Sequence, residues 1–274
     1  MGRAKEIIVK VIPSNIANDF VKKHHYSGKV VNNSSLHFGC FLDNKLHGVM
    51  SYGSPLDKRK VLPLAQPSLW NEMLELNRMA FDDILPKNSE SRCIAISIKL
   101  LKKNAPHIKW ILSFSDSTQC GDGVIYRASG FLLTGLNKNT QVWEAPSGEQ
   151  FSKMSLTDGR SKQQQLKAKK IVNISNNIKG NNILDNGGAS MKPYIESGWK
   201  PKQGFQLRYI LLIDKSCKIT VPIIPFSKID EMGAGMYKGK KITIAERRTS
   251  DNSITANAAT IQVAEGGQHH LIAQ

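Results

Sequence analysis

The chain has 274 residues, 38 Lys and Arg against 22 Asp and Glu, a net charge of +16 and a pI near 9.7. That length suits one large domain with appendages, and the charge favours a polyanionic partner, nucleic acid before a membrane surface, because no basic amphipathic helix with an aromatic face is evident. No run of 18 apolar residues and no charged-then-apolar leader occurs, so neither a membrane span nor export is expected, and the four scattered cysteines without C-x-x-C spacing suit reduced cytoplasmic thiols rather than disulfides or a zinc site.

In chain order, the alternation from Ile7 to Ile12 predicts a first strand, and Pro13-Ser14-Asn15 predicts the cap of a helix running through Ile16, Phe20 and Val21 to about Lys23. His24-His25-Tyr26-Ser27-Gly28 follows; an imidazole can titrate near neutrality, and a phenol can donate, accept or stack on a base. Adjacent histidines in a loop are more often simply solvated. Ser35–Leu42 and Leu46–Tyr52 predict a hairpin around Asp43-Asn44-Lys45. Residues 53–67, with three prolines, predict a long connection.

Leu74–Phe81 alternates as a strand, interrupted by Asn77 and Arg78. A buried Arg needs a partner, so Arg78 is expected to meet Glu75 or Asp82, or a ligand anion. Pro86-Lys87-Asn88-Ser89 breaks the chain, and Asn88 or Ser89 can cap a helix over Cys93–Leu101 that ends at Lys102, Lys103 and Pro106. A loop opening such a helix can hold a phosphate on backbone N–H groups, although this one is not glycine-rich and a plain capped helix has the same spacing. Trp110–Phe114 reads as a buried strand with Asp116 just past its carboxyl end, where α/β sheets keep their chemistry. Gly121-Asp122-Gly123 makes a loop, Val124–Ser129 a short helix carrying Tyr126, and Phe131–Thr134 another strand. Cys120 lies in the loop and reads as an inert thiol.

Between Gln150 and Lys202 ten Lys and Arg face three acids, and Ser161–Lys170 could form a basic helix. Tyr194, Trp199 and Phe205 interleave with lysines, a composition suited to phosphate contact and base stacking, or to an exposed insertion of solvated lysines. Gln206–Asp214 is a strong β run expected to complete the sheet, and Val221–Phe226, with two prolines, an extended edge or strap. Thr249–Gln274 has no Lys or Arg and reads as a tail. The division expected is a core at 1–143, a basic DNA-contacting insertion at 144–205, a returning strand and strap at 206–248, and the tail at 249–274.

The motifs HHYSG (His24–Gly28), ELNRM (Glu75–Met79), PKNSESR (Pro86–Arg92) and SFSD…GVIYRASGF (Ser113–Phe131), in that order, resemble the phage Mom proteins, and the strand–loop–helix–strand unit resembles the acetyl-CoA-dependent N-acyltransferase (GNAT) fold. The resemblance implies an α/β fold, a GNAT-like mixed central sheet flanked by helices with a basic C-terminal insertion. It implies an acetyl-CoA-dependent transferase that converts adenine N6 in double-stranded DNA to carbamoylmethyl (acetamido) adenine in the host bacterial cytoplasm, shielding phage DNA from restriction. His25, Tyr26, Asp116 and Tyr126 match the active site, with Tyr126 a general acid and Asp116 orienting or deprotonating the amine. Arg78, Asn88, Ser91 and Arg92 match acetyl-CoA-binding positions. Iron is a conceivable aid, for which His25, Tyr26 and Asp116 are donors of the right type. The chain departs from the family where Ser117 replaces a usual Pro and Cys120-Gly121 a usual Gly-His pair. No protein partner is evident. Two rival readings are an ordinary acetyltransferase acting on a protein or small amine, and a non-catalytic DNA-binding protein on the same scaffold.

Overall fold

The computed structural model describes residues 3–157, 162–175, 190–237, 239–243 and 245–246, so the expected tail lies outside the described residues. Its centre is a seven-stranded mixed sheet. The strands are β1 (Ile8–Val11), β2 (Ser34–Leu42), β3 (Lys45–Gly53), β4 (Met73–Phe81), β5 (Trp110–Asp116) and β6 (Leu132–Asn139), with three shorter strands before β10 (Gly204–Leu212). The order across the sheet is β1-β2-β3-β4-β5-β10-β6, and only β4 and β5 pair in parallel. β10 is antiparallel to both β5 and β6, so the late β run inserts between two earlier strands.

Local chemistry explains most elements. The β2–β3 hairpin turns on Asp43 and Asn44, both at positive φ (50° and 61°), as a two-residue loop between right-twisted strands requires. Helix α1 (Ser14–His24) buries Ala17 and Val21 on one face, against Ile12, Val49 and Ala80. The expected side-chain cap on it is absent: Pro13 occupies the capping position in extended conformation. Helix α2 (Ser89–Asn104) buries Cys93, Ile94, Ser97 and Leu101 at helical spacing, and Lys102 and Lys103 stand in its last turn, where the dipole favours cations. The opposite face of the sheet, with Phe38, Met50, Leu76 and Ile111, packs against α2 to form the main core. Residues 53–67 are more ordered than a connection: a helical turn (Lys58–Val61) and a two-residue strand (Ala65–Gln66) pair this stretch with Lys218–Ile219. Val221–Phe226 forms no strand, but the Ile224 N–H donates to the Leu133 carbonyl and lays the segment along β6.

After β6 the chain builds a second, smaller unit. Strands β7 (Val142–Glu144), β8 (Gln150–Ser152) and β9 (Lys200–Pro201) form a three-stranded sheet. Helices α4 (Lys153–Thr157), α5 (Lys162–Ser175) and α6 (Lys192–Glu196) accompany it. The basic run is thus a helix, longer than its sequence signal. Tyr194 and Trp199 are each only 2% exposed and pack with Trp143, Phe151, Leu156, Ala168 and Val172. Their ring centroids lie 5.1 Å apart, edge to face. The base-stacking reading of these two residues is therefore corrected: their rings are the core of this unit, where burial of each contributes about 1.5–3 kcal/mol. Phe205 is partly buried against the main core. No described helix is long and apolar enough to cross a membrane.

Candidate active site

The parallel pair β4–β5 is in register from Met73–Trp110 to Leu76–Ser113 and stops there, although β4 runs on to Phe81 and β5 to Asp116. The two strands cease to pair in the middle of the sheet, which leaves a gap in the hydrogen-bond ladder beyond that rung. At the last rung the Ser113 hydroxyl donates to the Leu76 carbonyl at 2.9 Å. One residue later β4 carries a bulge: Ser51 pairs with Arg78 and Tyr52 with Leu76, leaving Asn77 as the extra residue. Asn77 is 9% exposed; its Oδ1 accepts from Ser34 Oγ at 2.8 Å, while its Nδ2 has no acceptor among the described residues. A buried orphan donor at this point is a ready contact for a ligand oxygen.

Arg78 pairs with neither carboxylate expected of it. Its Nε donates to the Lys29 carbonyl at 2.9 Å and its Nη1 to the Asn77 carbonyl at 2.8 Å. Asp82 instead bonds His47 at 2.8 Å. Arg78 thereby pins the turn after α1 over the gap. That turn carries His25 and Tyr26, and Gly28 closes it at a φ of +58°, a conformation few other residues adopt. The His25 Nδ1 accepts from the Ser27 amide at 3.1 Å and faces Ser27 Oγ at 2.8 Å, so the ring proton sits on Nε2. Desolvation, then the Arg78 charge, lowers its pKa to about 4, and the ring is neutral at neutral pH. Its ring lies 4.3 Å from that of Tyr26. His24 turns away and stacks on Phe20. Tyr26 is 51% exposed; desolvation and the neighbouring Asp116 and Cys120 raise its phenol above the usual range.

The loop after β5 supplies the opposite wall. Asp116 Oδ1 accepts from the Thr118 amide at 2.8 Å and from Asn139 Nδ2 at 3.3 Å. Its main-chain carbonyl takes the amides of Gln119, Cys120 and Gly121. Asp116 is therefore busy holding its own loop. Cys120 is exposed, and burial of the thiol group with the Asp116 charge raises its pKa, which keeps it a thiol. Tyr126, on helix α3 (Val124–Ala128), is 8% exposed, with its ring 5.4 Å from both Phe131 and Tyr209. Burial, against a hydrogen bond with Ser113, pushes its phenol up to about 12. The ring faces the core while the hydroxyl reaches the last rung of the parted strands.

Glu75 completes the cluster, and the sequence had offered it only as a partner for Arg78. It sits on β4 beside the rung at which the strands part, half-buried, and makes no hydrogen bond or ion pair among the described residues. Desolvation raises its pKa to about 7 against the opposing pull of Arg78. Its signal in the sequence was an acid inside an alternating apolar strand. The Arg78 charge acts on His25, Tyr26, Glu75 and Tyr126, and that of Asp116 on Tyr26 and Cys120, so these groups share one site.

The residues matched to cofactor binding lie at the start of α2. Asn88 takes a left-handed conformation (φ 70°) at the capping position and makes no cap hydrogen bond, contrary to the expected capped helix. Ser91 Oγ turns back to the Asn88 carbonyl at 3.2 Å. Among the described residues the backbone N–H groups of Glu90 and Ser91 find no acceptor. Arg92 donates to the Lys5 carbonyl at 3.1 Å, and its Nε is buried without a partner among the described residues. Open amides at the positive end of a 16-residue helix suit an anionic group. No three His, Cys, Asp or Glu among the described residues are grouped to hold a metal ion, so the iron expectation finds no support.

A mixed sheet with one parted parallel pair, an open helix start behind it and a titratable cluster where the pair ends make up an α/β fold with its reactive groups at the ends of the central strands. The chain belongs to the Mom protein family, whose model matches residues 6–228. It is 36% identical over 138 residues to the methylcarbamoylase mom of Escherichia phage Mu, across 50% of this chain and 57% of that protein, little more than half the relative's length. Among solved structures it is similar to a Bacillus subtilis acetyltransferase in complex with CoA, at 11% identity and a TM-score of 0.37 over 76% of this chain and 97% of that one. It is also similar to the ribosomal-protein-S18-alanine N-acetyltransferase of Escherichia coli, at 8% identity and a TM-score of 0.38 over 76% and 94%.

Proposed function

We propose that the chain is a transferase that uses acetyl-CoA to modify adenine N6 in duplex DNA, forming carbamoylmethyl adenine that protects phage DNA from restriction. The observation that carries the reading is the parting of β4 and β5 beyond Leu76–Ser113, with His25, Tyr26, Glu75, Arg78 and Asp116 gathered at the gap. The open amides of Glu90 and Ser91, with Arg92, would receive the cofactor's pyrophosphate, and the orphan Asn77 Nδ2 would meet a carbonyl oxygen inside the gap. Acetyl-CoA would supply the two-carbon unit; joining it to N6 through its methyl carbon, with the thioester becoming an amide, also takes a two-electron oxidant and a nitrogen donor as co-substrates, the CoA thiolate leaving as the amide forms. Tyr126 would protonate the departing sulfur, and Tyr26 would stack on the base, which must leave the duplex to expose N6.

The charge of +16 and the basic unit built on β7–β9 suit a phosphate backbone. Lys29 Nζ donates to Ser155 Oγ at 3.2 Å, which ties that unit to the turn carrying His25 and Tyr26. The relative's name, methylcarbamoylase, supports the product.

Mass spectrometry of nucleosides from plasmid DNA tests the reading, using cells that express the chain or its Tyr126→Phe variant. A deoxyadenosine heavier by a carbamoylmethyl group, present only with intact chain, is the expected result. An N-acetyl mass increment would instead indicate ordinary acyl transfer to the amine. Unmodified DNA from cells holding folded, acetyl-CoA-binding protein would sink the proposal.

A further inference from the structure

We propose that the segment between β3 and β4 is a DNA wedge: Trp70 and Leu69 enter the base stack beside the extruded adenine, and Arg59 takes a backbone phosphate. The inference rests on reading duplex DNA as the substrate, and it names the surface that opens the duplex. Large apolar side chains normally find cover, yet Leu56, Leu69 and Trp70 all stand exposed on this one segment, Trp70 at 51%. Lys58 Nζ donates to the Trp70 carbonyl at 3.2 Å and lies 5.0 Å from the centre of its ring, so the two arms of the segment meet. Exposed apolar groups gathered in this way mark a contact surface.

A loose loop could not hold bases apart, and this one is braced from behind. Val61, Leu64 and Ala65 are buried with Met73, Trp110, Leu112 and Ile210. The Ser68 hydroxyl donates to the Ala65 carbonyl at 2.7 Å and the Leu69 amide to the Glu72 carboxylate at 2.7 Å, while Lys109 holds Glu72 at 2.7 Å. Ala65 and Gln66 pair with Ile219 and Lys218, and Cys217 Sγ donates to the Pro67 carbonyl at 2.9 Å. The apolar tip is thus held in place before any partner arrives, which limits what binding must order.

Its place in the sheet points to the duplex. The segment leaves β3 at Gly53, which pairs with Glu75, and enters β4 at Met73, which pairs with Trp110. Met73 and Glu75 share a face of the sheet with Trp110, Leu112 and, further along β5, Asp116. The segment therefore covers that face where β4 and β5 still pair, beside the titratable cluster where they do not. Trp70 precedes Glu75 by five residues, so the two lie within roughly 18 Å, about five base-pair steps. One duplex can reach both. Extruding a base leaves an unstacked hole, which apolar wedges and aromatic faces fill. Arg59 is exposed and makes no hydrogen bond or ion pair among the described residues, which leaves its guanidinium for a phosphate.

Tryptophan fluorescence of the full chain tests the wedge, because Trp110, Trp143 and Trp199 are buried and Trp70 is not. The component that acrylamide quenches in the free chain is expected to vanish in Trp70→Phe, and saturating plasmid DNA should shield it in the wild type. Trp70→Ala should weaken DNA binding by about tenfold with its salt dependence kept. Arg59→Ala should instead reduce the slope of log affinity against log salt by about 1. Acetyl-CoA affinity should be unchanged in both. A chain that binds plasmid DNA with Trp70 still open to acrylamide overturns the proposal and leaves the proposed function standing. Trp70 shielded without DNA, in a concentration-dependent dimer, overturns it in favour of an interface between copies. Folded chain that neither binds nor modifies DNA removes both readings. The shielding measurement uses the wild-type chain and so decides the matter even if a variant fails to fold.

Discussion

Glu75 and Arg78 stand three residues apart on one strand, in one cleft, and make no ion pair, because the bulge at Asn77 turns the guanidinium to the carbonyls of Lys29 and Asn77. The carboxyl is left desolvated and uncompensated, with its pKa raised from 4.5 to about 7. A raised folded-state pKa means that the folded chain binds this proton more tightly than the unfolded one. Its stabilising contribution is full below pH 4.5 and is lost as pH rises to 7. Glu75→Gln should therefore melt roughly a few degrees above wild type at pH 8 and level with it near pH 4, by calorimetry at both pH values.

His25 has the opposite sign. It is a base whose pKa falls from 6.5 to about 4 on folding, so the unfolded chain binds the proton more readily between those values. Its contribution is full above pH 6.5 and is lost as pH falls to 4. In an NMR titration the His25 ring should show its midpoint near pH 4. A midpoint near 6.5 would mean that the ring is solvated and the turn is not packed over the gap.

The loop between β5 and α3 is fastened from behind. Asp122 is 1% exposed, bonds Arg127 at 3.1 Å and accepts the Met236 amide at 3.1 Å, while its own carbonyl takes the Tyr209 hydroxyl. Asp122→Ala leaves a buried guanidinium without its anion and should cost about 3–5 kcal/mol in urea unfolding. Gly123 sits beside it at a φ of +83°, and a Cβ there would meet the Tyr209 ring at 2.4 Å. Gly123→Ala should also destabilise, by more than about 1 kcal/mol.

Trp199 separates the two readings of the basic unit's aromatic residues. As a core residue at 2% exposure, its replacement by Ala should cost about 3–5 kcal/mol in equilibrium unfolding. Trp199→Phe keeps most of the packing and should leave DNA affinity within about twofold in a filter-binding assay. A tenfold loss of affinity in the folded Phe variant would return Trp199 to the DNA surface.

An anion site at the start of α2 makes a prediction in which stability and binding move apart. Ser91→Asp places a negative charge in the first turn, which should raise stability by about 0.3–1 kcal/mol. The same charge repels a pyrophosphate, so acetyl-CoA affinity by calorimetry should drop roughly tenfold. Unchanged affinity would place the cofactor elsewhere.

Much of the fold was legible because it is written in near-neighbour patterns. The strand patterns of Ser35–Leu42 and Leu46–Tyr52, the turn at Asp43–Asn44 and the apolar run Cys93–Leu101 closed by Lys102, Lys103 and Pro106 each depend on a few adjacent residues. Period and turn chemistry act over that range, and so they place strands and helices without further information. The late β run at Gln206–Asp214 was also plain as a strand; its insertion between β5 and β6 was not. Which groups meet was decided by tertiary structure alone. Arg78 faces carbonyls rather than Glu75, Tyr194 and Trp199 close a core of their own, and Asp116 is tied to Asn139, 23 residues away. A side chain's identity gives its chemistry, but desolvation and partnership are properties of the packed neighbourhood, assembled from strands that are distant in the chain.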